Sequence, residues 1–188
     1  MEKKKQEKYR LLGVDPGTNI MGYAVIEVDG KKLRMVEMGV ISMSHLDEHQ
    51  LKLKRIFLRL KEIIFNHTPK EMAIEAPFFG KNVQSMLKLG RAQGVAIAAA
   101  ITSGIEVTEY APRKIKQSVT GNGNASKEQV AAMLITIFNK SVKGKTLDAT
   151  DALATAVCHY YQSTSRLGGT KKYSGWGDYI KNNPDKAK

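Results

Sequence analysis

The stretch YRLLGVDPGTNIMGYAVIEV, residues 9–28, decides how this chain folds. Its first apolar run predicts a short strand, which ends at an acidic residue, Asp15, followed by a proline and a glycine. A second apolar run leads to the turn signal Asp29-Gly30, and a third run follows the turn. The sequence therefore predicts one strand followed by a hairpin, with strands at residues 9–14, 21–28 and 33–42.

Beyond this stretch, the pattern alternates helices with strands. Residues 46–66 place apolar side chains at three- and four-residue spacing between lysines and arginines, which is typical of an amphipathic helix lying on a sheet. Further helices are predicted at residues 83–103, 126–139 and 148–161, and further strands at 72–74 and 105–110. Together these elements predict an α/β fold with a five-stranded mixed sheet flanked by helices.

The length of 188 residues fits one compact domain, which we place at residues 9–162. Residues 1–8 then form a basic N-terminal extension. From residue 163 the composition changes to Gly, Ser, Lys and Asn, which predicts a mobile basic C-terminal tail over residues 163–188. Both ends are open to two interpretations, a solubilising segment or a direct contact with DNA.

Charge points to the class of partner. The net charge of +12 and the pI near 9.7 favour a polyanion, because neutralising phosphates releases counterions. No apolar run is long enough to cross a membrane, and the basic start lacks the apolar stretch of a secretory signal, so we expect a cytoplasmic protein. The single cysteine, Cys158, is expected to pack in the core.

Acidic residues occupy positions that stability alone does not explain. Asp15 ends one predicted strand and Glu75 ends another, so in a parallel arrangement both would reach the crevice at the carboxyl edge of the sheet. Asp148 and Asp151 are three residues apart on one face of the last predicted helix, beside its apolar stripe. Each also has a plainer interpretation, as a helix cap, a helix-dipole partner or a turn residue.

A cluster of carboxylates needs compensating positive charge, because two of them about 4 Å apart repel by about 4 kcal/mol at an effective dielectric near 20. A divalent ion is the simplest source. Oxygen ligands select Mg²⁺, with Mn²⁺ as a substitute, and two ions in one site can clamp the attacking and leaving oxygens of a phosphoryl transfer. These residues therefore favour metal-dependent phosphodiester hydrolysis.

Five segments, read in order, resemble the RuvC crossover junction endodeoxyribonucleases: LGVDPGTNIMGYA at 12–24, AIEAPFFGKN at 73–82, LKLGRAQG at 87–94, YAPRKIKQ at 110–117 and DATDALA at 148–154. The resemblance runs from about residue 9 to residue 162. It implies a ribonuclease H-like fold and a homodimer that binds four-way (Holliday) DNA junctions. Such a dimer nicks two strands of like polarity symmetrically and works with the RuvAB branch-migration complex.

The resemblance also implies roles for particular residues. Asp15, Glu75, Asp148 and Asp151 match the metal-binding catalytic acids of the family. Phe78 matches a loop aromatic that stacks on a base at the crossover, although a core position is equally open for it. Lys116 and Lys127 match lysines that contact DNA phosphates, and Arg113 and Lys114 are basic neighbours that either contact DNA or are solvated surface residues.

Three other functions share some of these sequence features. An actin-like or sugar-kinase-like ATPase shares a similar first phosphate loop but needs a second domain of comparable size. A nonenzymatic junction-binding module would not need four acids. A related ribonuclease H-like nuclease acting on other nucleic acid is the nearest alternative, and the loop that carries Phe78 favours the junction.

Small residues form a stripe on the second predicted helix. Gly90, Gly94 and Ala98 are four residues apart, which leaves room for another backbone to approach. The stripe is consistent with either a dimer contact or packing against the sheet. On the following helix, Ser126 is a plausible N-cap, and Lys127 next to it would suit a phosphate.

Overall fold

A computed structural model of the chain describes residues 8–77, 82–139 and 146–167. The elements in chain order are β1 (Tyr9–Asp15), β2 (Ile20–Asp29), β3 (Lys32–Ser42), α1 (His49–His67), β4 (Glu71–Glu75), α2 (Val83–Ile101), β5 (Glu106–Tyr110), α3 (Pro112–Thr120), α4 (Lys127–Phe138) and α5 (Leu147–Leu167). One sheet has the strand order β3-β2-β1-β4-β5; β1, β4 and β5 are parallel, and β2 is antiparallel to both of its neighbours. This is the predicted five-stranded mixed sheet.

Two elements differ from the prediction. Helix α3 was not predicted, and helix α5 continues to Leu167, five residues into the segment expected to be a mobile tail. The rest of that tail, residues 168–188, and nearly all of the N-terminal extension lie outside the described residues. Within the described part of the chain, no helix is both long enough and apolar enough to cross a membrane.

The alternation of side chains along the strands divides the core in two. On β1, Leu11 lies in the layer beneath α3, α4 and α5, whereas Leu12 and Val14 lie in the layer beneath α1 and α2. Because side chains alternate between faces, Gly13 and Asp15 share the face of Leu11. The helix α5 therefore packs over the face to which Asp15 belongs.

Helix α5 approaches β1 very closely at Gly13. A Cβ atom built on Gly13 would lie 2.2 Å from the carbonyl oxygen of Ala152 and 2.7 Å from the amide nitrogen of Ala156. Both of those atoms belong to the backbone of α5, so only a residue without a side chain fits between strand and helix. Ala152 and Ala156 are themselves fully buried. Small residues on both elements thus fix how near α5 lies to the sheet.

A chain of hydrogen bonds centred on a buried histidine joins α5 to the parallel strands β4 and β5. The Nδ1 atom of His159 is 2.9 Å from the hydroxyl of Tyr110, and its Nε2 atom is 2.7 Å from a carboxylate oxygen of Glu71. Its neighbour Cys158 is completely buried beside the hydroxyl of Ser118. Both side chains therefore have structural partners, and the predicted core position of Cys158 is confirmed.

We predict that Gly13→Ala destabilises the protein, because its methyl group would force α5 away from β1. Overpacking of this kind costs about 2–3 kcal/mol. Urea or thermal unfolding followed by circular dichroism measures the loss. Glu106→Ala, which places the same residue at an exposed position on an edge strand, serves as the control and should change stability by less than about 0.5 kcal/mol. Equal stability of both variants would contradict this account of the contact.

Candidate active site

Two carboxylates meet at one edge of the sheet because each ends a parallel strand. Asp15 is the last residue of β1 and Glu75 the last residue of β4, and these strands are neighbours. Side chains two residues apart on a strand point to the same face of the sheet. Ala73 lies in the core layer beneath α5, so Glu75 points to that face, as Asp15 does. The prediction that Asp15 and Glu75 lie together at the carboxyl edge of the sheet is therefore confirmed.

The start of α5 lies directly over this edge. Gly22 pairs with Asp15 across the β1–β2 ladder, and a Cβ atom built on Gly22 would lie 2.0 Å from the backbone carbonyl oxygen of Asp148. The interpretation of Asp148 as the helix cap is wrong, because the hydroxyl of Thr146 accepts the hydrogen bond from the Ala149 amide. The Asp148 side chain is therefore not used as a cap.

A cavity of about 250 Å³ opens between the carboxylates and the neighbouring helices. Its polar lining consists of three acids and two lysines; the apolar lining comes from α3, α4 and α5. Asp148 does not line the cavity. The polar residues are Asp15, Glu75, Asp151, Lys116 and Lys127.

One of these lysines, Lys127, is the first residue of helix α4. The Ser126 hydroxyl accepts from the amide of Gln129, and the Gln129 side chain accepts from the amide of Ser126, which is a complete capping box. The predicted N-cap at Ser126 is confirmed. Lys127 then reaches α5, where its ammonium lies 2.6 Å from a carboxylate oxygen of Asp151.

Burial and mutual repulsion hold protons on two of the acids. The pKa of Asp15 is raised to about 8, first by burial and then by the charges of Glu75, Asp151 and Asp148, while Lys127 opposes the rise. Burial and the charge of Asp151 raise the pKa of Glu75 to about 7, against Lys127 and Lys116. The two lysines therefore compensate only part of the negative charge.

The chemistry of this donor set fits a hard divalent ion. Carboxylates offer the oxygen ligands that such an ion prefers, and burial together with neighbouring negative charge raises the pKa of Asp15 and Glu75. In the described part of the chain, no three His, Cys, Asp or Glu residues are arranged as a ready-made ion site. One of the carboxylates, that of Asp151, forms an ion pair with Lys127.

Two other predicted DNA contacts, Arg113 and Lys114, fall outside the cavity. Arg113 and Lys114 lie on the first turn of α3 with their side chains exposed to solvent. A Cβ atom built on Gly123 would lie 2.7 Å from Cγ of Arg113, so Arg113 packs against the loop that leads to Lys127. Phe78 lies outside the described residues.

Helix α3 is the part of the site that the sequence prediction missed. It begins with Pro112 at its first turn, a position that suits proline because the amide there needs no helical partner. Ile115 and Val119 are buried against the core, which turns Lys116 toward the cavity. Proline followed by this four-residue apolar spacing was the available signal.

Comparison with known proteins gives one consistent family. The family model described as crossover junction endodeoxyribonuclease RuvC matches residues 11–159. Proteins of that name from Cytophaga hutchinsonii and Porphyromonas gingivalis are 60% and 54% identical, each over 95% of this chain and over 88% and 96% of their own lengths.

Solved structures agree with the sequence comparison. The structure of Thermus thermophilus RuvC in complex with a Holliday junction substrate is similar at a TM-score of 0.78 and 31% identity, over 85% of this chain and 96% of that one. A yeast mitochondrial Holliday junction resolvase has a TM-score of 0.61 at 13% identity, over 85% of this chain and 84% of its own, and shares the fold. The fold is thus the ribonuclease H-like fold expected from the sequence.

We predict that the metal-free protein loses stability as the pH rises. The folded-state pKa of Asp15 lies above its ordinary value of 3.8, at about 8, so the folded protein binds more protons than the unfolded chain across that interval. Stability is therefore greatest at the acidic end and is lost as the pH rises through the folded pKa. We expect the melting temperature in EDTA to fall by at least about 5 °C between pH 5.5 and pH 8.5.

Histidines also titrate in this interval, so the comparison with Asp15→Asn isolates the carboxylate. That variant has no charge to desolvate at the position and should lose much less stability over the same pH range. Thermal melts at matched ionic strength provide the measurement. Identical pH profiles for wild type and Asp15→Asn would disprove the electrostatic description of the site.

Proposed function

Because this chain belongs to the RuvC family of crossover junction endodeoxyribonucleases, and is therefore a metal-dependent nuclease that resolves Holliday junctions, we propose that Asp15, Glu75, Asp148 and Asp151 are its catalytic acids. The observation that carries the proposal is the meeting of Asp15 and Glu75 at the ends of two parallel strands, beneath α5. The activity belongs to DNA recombination and repair.

The four acids would hold Mg²⁺, or Mn²⁺ in its place, with two ions in each site. When bound, these ions supply the positive charge that activates a water and stabilises the leaving oxygen in hydrolysis of a phosphodiester. The chain itself positions the carboxylates. Asp15 and Glu75 sit on strands that cannot move without breaking the sheet, and Asp151 is kept near them by Lys127. The products would carry a 5′-phosphate and a 3′-hydroxyl.

The lysines of the cavity would bind the DNA backbone next to the cut. Lys116 and Lys127 line the same cavity as the acids, so a phosphate held there by Lys116 lies within the reach of the catalytic site. Arg113 and Lys114, on the exposed turn of α3, would extend this contact along the strand. Phe78 follows Glu75 by three residues and would stack on a base at the crossover.

Paired symmetric nicks in two strands of like polarity need two equivalent sites, which a twofold homodimer supplies. The exposed face of α2 supports this assembly. Val83 and Leu87 are 67% and 57% exposed, and no atom of the described residues lies within 4 Å of a Cβ atom built on Gly90 or Gly94. Neither glycine packs against the described part of the sheet, so a second chain could approach this part of the stripe closely.

We also propose that this enzyme acts in the cytoplasm together with the RuvAB branch-migration complex, as the resemblance implied. A resolvase cuts a four-way junction, and branch migration moves such a junction along the DNA to the place where it is cut. The family membership supports this partnership.

Loss of a catalytic acid should remove cutting but not binding. We predict that Asp15→Asn lowers the rate of cleavage of a synthetic mobile four-way junction by on the order of 10²–10³ or more, the range for loss of a transition-state charge stabiliser. Wild type should give paired nicks with Mg²⁺ and none with EDTA. Gel shifts in EDTA should show that the variant still binds the junction.

The matched control is Asp29→Asn, the same chemical change at an exposed position in the hairpin turn, which should cut at the wild-type rate. Duplex and single-stranded DNA serve as competing substrates. Junction binding by wild type without metal-dependent cutting would refute the catalytic assignment. Preferential cutting of the other substrates would move the chain to a different nuclease activity on the same fold.

A charge on the exposed face of α2 should separate the proposed dimer. Leu87→Glu puts a carboxylate at a contact that is apolar in our proposal, so we expect a monomer in sedimentation or light scattering and single nicks instead of paired ones. Met133→Glu on α4, on the other side of the sheet, is the control and should remain dimeric. A dimeric Leu87→Glu that still makes paired nicks would exclude this interface.

A further inference from the structure

A second polar cavity, which we call the helix-end pocket, lies between the loop after β1 and the first turns of α1 and α2. Its volume is about 220 Å³, and it shares no lining residue with the cavity of the catalytic acids. Nothing in the proposed mechanism uses it. The residues that could bind a ligand there are Thr18, Asn19, His49, Lys52, Ser85 and Lys88.

Topology places the helix-end pocket at the same edge of the sheet as the catalytic acids. Strands β1 and β3 run in the same direction, because each is antiparallel to β2, and β4 is parallel to β1. Helix α1 follows the carboxyl end of β3, and α2 follows the carboxyl end of β4. The pocket therefore opens at the edge that Asp15 ends, but on the face covered by α1 and α2.

The helix-end pocket is built for an anion. Lys52 and Lys88 line it against a single acid, Asp47. Neither α1 nor α2 has an acidic residue in its first turn, so the positive ends of both helices add to the charge. Burial lowers the pKa of His49, and the positive charges of Arg91, Lys88 and Lys52 lower it further.

One buried polar atom in this region lacks a hydrogen-bond partner among the described residues. Nε2 of His49 is the sole buried side-chain nitrogen or oxygen in the described segments without a hydrogen-bond partner. A buried polar atom without a partner is costly unless a ligand or water satisfies it. His49 lines the helix-end pocket, so an anion or its bound water could supply the missing bond.

We propose that the helix-end pocket binds a backbone phosphate of the junction, at a position on the DNA other than the cleaved phosphodiester. This inference rests on the proposed function. The pocket presents lysines at the same edge of the sheet as the catalytic acids, so a DNA strand bound at the acids would have a second phosphate-binding position along that edge. Its ligand is a phosphate diester of nucleic acid.

The helix-end pocket shares a wall with the catalytic loop. Lys52 donates to the side-chain oxygen of Asn19 at 2.7 Å, and the carbonyl of Asn19 accepts from the Met43 amide at 2.8 Å. The segment from Asp15 to Asn19 is thus fastened at both ends, by β1 and by these bonds. A phosphate in the pocket would steady the loop that follows Asp15.

The test compares junction binding by wild type and Lys88→Ala in EDTA over a range of salt concentrations. Loss of one phosphate contact should lower the slope of log K against log salt by about 0.9. Lys54→Ala is the matched control, because Lys54 is exposed on α1 two residues from Lys52 and so faces elsewhere. Its slope should equal that of wild type.

A second arm locates the phosphate. Junctions that carry one methylphosphonate at successive positions are bound to wild type, Lys88→Ala and Lys116→Ala. At one position the neutral linkage should weaken junction binding by wild type but not by Lys88→Ala. At a different position it should weaken binding by wild type but not by Lys116→Ala. The inference is overturned if Lys88→Ala shows the wild-type slope and the wild-type methylphosphonate profile.

The two proposals fail in different ways. Wild type that does not bind or cut junctions would overturn the proposed function itself. Wild type that cuts junctions, together with a Lys88→Ala variant that binds like wild type in both arms, would leave the resolvase intact and reject only the helix-end pocket.

Discussion

The geometry of the candidate active site depends on the contact between α5 and the first two strands. At Gly13 and Gly22 the backbone of α5 lies where any side chain would have to be, at 2.2 Å and 2.0 Å from an added Cβ atom. Gly22 stands opposite Asp15 in the ladder, and it touches the carbonyl of Asp148. The two glycines therefore bring an acid-bearing helix onto the strand that ends in Asp15. A larger residue at either position would move the helix and its carboxylates together, because the helix is rigid.

This closeness has an electrostatic cost, which explains other features of the site. Burial raises the pKa of Asp15 and of Glu75, and the charge of Asp151 raises both further. Lys127 offsets part of the repulsion, and its position depends on the capping box that starts α4. In the proposed enzyme, a divalent ion would offset the remaining negative charge. The same carboxylates that are expected to weaken the metal-free fold at high pH would then favour hard cations.

The strands and the acids could be predicted because their signals are local. An apolar run that ends at Asp15 or Glu75 predicts both the strand and the position of the carboxylate at its end. The alternation of side chains along the strand then gives the face of the sheet. Helix α3 was missed because most of its surface is polar and only Ile115 and Val119 are buried. The helix-end pocket had no local signal at all, since three distant segments of the chain meet there. Close backbone contacts such as that of Gly13 appear only when the layers are assembled.

The two faces of the sheet carry different sites at the same edge. The α5 face holds the acids, and the α1–α2 face offers the helix-end pocket and the exposed stripe of α2. Leu87, in the proposed dimer contact, and Lys88, in the proposed phosphate site, are consecutive residues on one helix and so point in different directions. In the proposed dimer, one rigid helix would set both the distance to the partner and the position of the bound phosphate. Symmetric cutting would then follow from the spacing of two such helices, because each phosphate site is tied through the Asn19 loop to its own Asp15.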